Sequence, residues 1–75
     1  MNIVLKGESN MLSVYHLVAD MLAEKYVFLD YFYIYQMACS RYYAYRDSGI
    51  RLGVDALASL VESDIIAHLR DAIAA

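Results

Sequence analysis

Between Met11 and Leu22 the apolar positions return every three or four residues. Met11, Val14, Tyr15, Val18, Met21 and Leu22 fall on one face of a helix, and Ser13, His16, Asp20 and Glu24 fall on the other. Leu12 and Leu17 lie beside the apolar stripe and widen it. Ser9 or Asn10 stands where a side-chain oxygen can accept hydrogen bonds from the free amides of a first turn. The pattern predicts a first helix over residues 10–25.

The next stretch, Tyr26 to Tyr45, holds seven of the eight tyrosines and both phenylalanines. Asp30 is placed to cap a second helix, with Leu29 before it and Ile34 after it in the two positions of a hydrophobic staple. Gly49 can take the left-handed conformation that closes a helix, and Ile50 can then fold back against Tyr45. A helix from Tyr31 to Asp47 follows. Residues 26–35 are also rich in the aromatic and β-branched side chains that suit a strand, but the cap signals favour helix from Asp30 onward. On that helix Tyr31, Tyr35, Tyr42 and Tyr45 are assigned to the inside. Tyr33 and Tyr43, together with Tyr26 before it, are left over. The sequence also allows a short N-terminal β element, with Asn2–Leu5 pairing with Tyr26–Leu29 across the first helix.

Ile50–Gly53 reads as a connector, and a third helix begins near Val54 or Asp55. Val54, Leu57, Ala58, Val61, Ile65, Leu69 and Ala72 form its apolar stripe, while Asp55, Ser59, Glu62, Ser63 and Arg70 face away. Ile66 and Ile73 widen the apolar face beyond what one neighbour covers. Ser63 is a second possible cap, which leaves open a split into two helices. The fold expected is mainly α: one domain over residues 1–75, a compact bundle of three principal helices around the aromatic second one.

Size sharpens this picture. A chain of 75 residues buries only ~60% of its unfolded surface and leans on disulfides, metals or association for stability. Cys39 is the only cysteine, so no internal disulfide can form, and with two isolated histidines no zinc site or other cofactor is expected. Hydrophobic residues make up 61%, against ~45–50% in ordinary domains. Part of that surplus should meet another chain, a second copy included. Asp30, Gln36 and Arg41 interrupt the aromatic stretch too often for a membrane span. The first residues do not follow a signal-peptide pattern, and a cytoplasmic setting is expected.

Candidate chemistry is sparse. Cys39, flanked on its helix face by Tyr35 and Tyr42, has no base beside it to generate a thiolate. His16 with Asp20, and Asp64 with His68, have the spacing of helix-face pairs. With three glycines there is no phosphate loop, and no enzyme activity is expected. Arg41, Arg46 and Arg51 interleave with Tyr42, Tyr43 and Tyr45, a pattern that can hold phosphate and stack bases. The last third also has a helix-turn-helix outline, with helices over 54–60 and 64–74 about a turn at Val61–Ser63. Against this stand a net charge of −3 and a separation of about 140° between Arg41 and Arg46 on a helix. Protein binding is the favoured reading, with Tyr26, Tyr33 and Tyr43 as exposed anchors, because tyrosine buries a large apolar area with few rotatable bonds. The function expected is that of a small acidic regulator or inhibitor that occupies a surface of a larger protein complex. Proteins of this size and kind are common among phage and mobile elements, anti-CRISPR proteins among them. Nucleic-acid binding through Arg41, Arg46 and Arg51 is the alternative.

Overall fold

Three helices carry the chain in the computed structural model, which describes residues 13–74: α1 Val14–Lys25, α2 Tyr31–Asp47 and α3 Val54–Ala74. Each packs against the other two. Their shared core takes Val18, Ala19 and Leu22 from α1, Ile34 and Ala38 from α2, and Leu57, Val61 and Ile65 from α3. Apart from the adjacent Val18 and Ala19, the spacing is three or four residues, the period at which one helix face returns. Ala19 and Ala38 are fully buried, and their small side chains let neighbouring helices approach closely. No polar or charged side chain is buried among the described residues.

The start of α1 differs from the sequence expectation. Ser13, expected on the polar face of the helix, is its N-cap residue, with extended backbone angles and no side-chain cap bond. Its carbonyl accepts from the amides of His16 and Leu17. Ser9, Asn10, Met11 and Leu12 lie outside the described residues. Met21 was expected in the core stripe but is exposed. It sits about 100° round the helix from Leu22, off the arc that α2 and α3 cover.

Tyr26–Leu29 is a turn and not a strand. The Tyr26 amide donates to the Leu22 carbonyl, and the Leu29 amide donates back to the Tyr26 carbonyl. The strand preference of Tyr, Val and Phe yields here because the segment must reverse the chain between two packed helices. Leu29 packs on the core while Val27 and Phe28 project outward. The proposed partner strand, Asn2–Leu5, lies outside the described residues, which contain no strand.

α2 runs over the predicted span. Asp30 is its N-cap residue, although its carboxylate makes no cap bond; its carbonyl accepts from Tyr33 and Ile34. The far end closes as a Schellman motif. Gly49 has φ +84°, its amide donates to the Arg46 carbonyl at 2.9 Å, and the Ile50 amide donates to the Tyr45 carbonyl at 2.9 Å.

α3 is one uninterrupted helix of 21 residues. It is not split at Ser63, and there is no turn at Val61–Ser63. Val61 and Ile65 are both fully buried one turn apart, so a break between them would pull one away from the core. The helix-turn-helix outline is therefore excluded. No helix among the described residues is long and apolar enough to cross a membrane.

Candidate interaction surface

The three tyrosines picked out by the sequence occupy three different settings. Tyr26 follows α1 directly, and its hydroxyl donates to Glu62 Oε2 on α3 at 2.6 Å. Lys25 pairs with the same carboxylate oxygen, and its ammonium lies 5.7 Å from the centre of the Tyr26 ring. Lys25 and then Tyr26, as hydrogen-bond donors, hold the Glu62 carboxyl below its ordinary value. The bond to Glu62 in turn raises both Lys25 and the Tyr26 phenol. Tyr26 thus fastens α1 to α3.

Tyr33 is half-buried, its ring 5.3 Å from that of His68 on α3. Tyr43 is exposed and looks the other way. Its ring is 5.6 Å from that of Tyr15 on α1, and the two hydroxyls are 3.2 Å apart. That hydrogen bond is the main reason the Tyr43 phenol is raised. Tyr33 therefore meets α3 and Tyr43 meets α1, and with Tyr26 they are spread over three separate contacts.

Tyr15, Tyr31, Tyr35 and Tyr42 line the seam between α1 and α2. Tyr31 stacks on Tyr35 at 6.1 Å, Tyr35 meets Tyr15 edge-on at 5.8 Å, and Tyr15 lies 5.3 Å from Tyr42. Such offset and edge contacts suit the ring quadrupoles. The Tyr31 hydroxyl donates to Asp20 Oδ1 at 2.9 Å. Tyr31, Tyr35, Tyr42 and Tyr45 were assigned to the inside; they are half-buried instead. The interior is filled by smaller aliphatic side chains, which the rings roof over while their hydroxyls reach the surface. Partial burial is the leading cause of the raised phenols of Tyr31 and Tyr35.

The groups considered for catalysis are engaged elsewhere. The His16 ring packs edge-on against Tyr35 at 5.5 Å, and Asp20 is taken by Tyr31. His68 faces Tyr33, and Asp64 is held by Arg41. Cys39 is half-buried beside Tyr35, and desolvation pushes its thiol up, which keeps it neutral and weakly nucleophilic. Among the described residues no group of three His, Cys, Asp or Glu side chains could hold a metal ion.

The three arginines do not act as one group. Arg41 makes a two-pronged bond to Asp64 on α3, Nε to Oδ2 at 2.8 Å and Nη2 to Oδ1 at 2.7 Å. This raises Arg41 and lowers the Asp64 carboxyl. Arg46 lies over the Tyr43 ring, 5.9 Å from its centre. Arg51 is exposed on the connector. One of the three candidate phosphate contacts is thus bound within the fold, and the three form no common track.

One surface was missed in the sequence. Val27 is 78% exposed, and Phe28 and Phe32 are each 67% exposed, all within six residues at the corner joining α1 to α2. Phe28 lies edge-on to Tyr26, and Phe32 edge-on to Tyr31. The signal was present. Apolar side chains in a helix-connecting turn have no helix face on which to be buried, and Phe32 lies about 200° round α2 from the core residue Ile34.

The chain matches no protein-family model, and comparison with curated proteins and with solved structures gives no significant match either.

Proposed function

We propose that this chain is a non-catalytic protein-binding module that regulates or inhibits a larger protein by occupying part of its surface, with the corner at Val27, Phe28 and Phe32 as the contact. The observation that carries this reading is the exposure of three large apolar side chains together on a small chain. Apolar exposure concentrated in so short a segment is what protein contacts use, and buried aromatic anchors supply most of the energy in them. Each phenylalanine rests edge-on against a tyrosine ring, which reduces the side-chain freedom it loses on binding. The acidic surface favours a basic partner, including one that normally holds nucleic acid, and a reducing, intracellular setting fits the single cysteine.

The test is capture from the native host by the tagged full chain, compared with a Phe28→Ala/Phe32→Ala variant whose helical signal and Tm are first shown to be unchanged. Losing two anchors should weaken the captured partner's affinity by at least about thirtyfold, the equivalent of about 2 kcal/mol. If capture survives in that variant and is lost in Tyr33→Ala/Tyr43→Ala, the contact lies on the α2 flanks and the corner reading is wrong.

A further inference from the structure

The end of α2 leaves an open depression of about 220 Å³ lined by Arg46, Gly49, Ile50 and Arg51. Gly49 creates it. Its φ of +84° reverses the chain so that Arg51 returns to the same hollow as Arg46. Beyond its two chain neighbours, no residue comes within 4 Å of the place where a Cβ on Gly49 would stand. Both arginines are exposed, and the ion pairs formed among the described residues use Lys25 and Arg41 instead. We propose that this depression binds a single oxyanionic group, a carboxylate or a phosphate.

The chemistry follows from the lining. A guanidinium presents a planar fork of donors that matches the oxygens of a carboxylate or phosphate, and two forks together can hold one anion from two sides. Arg46 already rests over the Tyr43 ring, which favours the cation and limits its wandering. A helix C-terminus is the negative end of the dipole and would oppose an anion. Here the Gly49 amide donates to the Arg46 carbonyl, and the Ser48 and Ile50 amides both donate to the Tyr45 carbonyl, so these carbonyls are already engaged at that end. The volume lies below the ~300–1,000 Å³ of sites that enclose whole small molecules, so the hollow suits one anionic group. It does not suit a phosphate chain: Arg41 is spent on Asp64, Asp47 and Asp55 lie nearby in sequence, and the net charge is −3, which repels a polyanion.

Such a group can reach the hollow free in solution or on a protein. Assigning it to an acidic side chain of the partner rests on the protein-binding reading above; the hollow itself does not. The experiment follows the amide signals of Gly49, Ile50 and Arg51 and the Nε–H signals of the arginines by NMR in the full chain. The chain is titrated with sodium phosphate, with a short glutamate-containing peptide, with a single-stranded oligonucleotide, and with sodium chloride at matched ionic strength. Phosphate or the peptide should give saturable shifts confined to this end of α2, weakened at least about tenfold in Arg46→Gln/Arg51→Gln and unchanged in Arg70→Gln. Response to phosphate alone identifies a free anion, and stronger response to the peptide identifies the protein-borne source. Shifts no different from those with chloride, or saturation that persists without Arg46 and Arg51, would overturn the proposal, as would tighter binding of the oligonucleotide than of either single anion. Phe28→Ala/Phe32→Ala should keep the anion response, so failure of the corner and failure of the hollow are read separately.

Discussion

At the scale of single residues, two polar clamps tie the helices together outside the core. Arg41 on α2 grips Asp64 on α3, and Glu62 on α3 gathers Lys25 and Tyr26 at the end of α1. The Arg41–Asp64 side chains are 41% and 28% exposed, so solvent screens the pair. Asp64→Asn should cost about 1 kcal/mol at neutral pH, near the upper end for such pairs because the contact is two-pronged. The pH dependence has a definite sign. Arg41 holds the folded Asp64 carboxyl below its ordinary value, and Lys25 with Tyr26 does the same for Glu62. Their stabilisation is complete above the unfolded carboxylate range of about pH 4 and disappears as pH falls through the lower folded values. Thermal melts followed by circular dichroism from pH 7 to pH 2 should therefore converge for wild type and Asp64→Asn at the acid end. A gap that stays constant to pH 2 would mean the pair does not act through ionised Asp64. Neither partnership was visible in the chain. Residues 23 and 37 apart meet only because helices cross.

At the scale of elements, boundaries written in local chemistry were legible and those set by packing were not. Asp30 and Gly49 bracket α2, and Gly49 acts through its own backbone, so the span of α2 could be read directly. The fate of Ser63 could not, because a serine before an acidic residue looks like a cap whether or not the helix continues. The core decides it, since Val61 and Ile65 flank Ser63 on one buried stripe. Ser63→Ala provides the check. In the exposed interior of a continuous helix this change should leave stability unchanged or raise it by a few tenths of a kcal/mol. At a cap it would lower stability by about 1 kcal/mol. A clear loss in urea unfolding would place a helix end at Ser63.

At the scale of the whole molecule, the apolar excess read from composition has specific locations. Part is the corner of Val27, Phe28 and Phe32. Part is on α3, where Ile66 and Ile73 are exposed, and part on α1, at Leu17 and Met21. A chain with this surface should associate with itself when no partner is present. Light scattering between about 10 μM and about 1 mM should show a mass rising from one chain toward two, since weak interfaces dissociate over this range. Phe28→Asp should hold the protein at one chain. A wild-type mass that stays at one chain over the whole range would remove the homodimer and leave the corner to a different partner.

Periodicity and caps within the sequence determined three helices, the core positions Val18, Leu22, Leu57, Val61 and Ile65, and both ends of α2, because these depend on neighbours one to four positions away. The tertiary structure decided the use of each leftover side chain. It turned Tyr26 into a clamp, set Tyr33 against α3 and Tyr43 against α1, spent Arg41 on Asp64, and left Phe28 and Phe32 uncovered. Helical spacing gives a residue's direction about its own axis, but only the crossing of three axes determines whether another helix stands there to cover it.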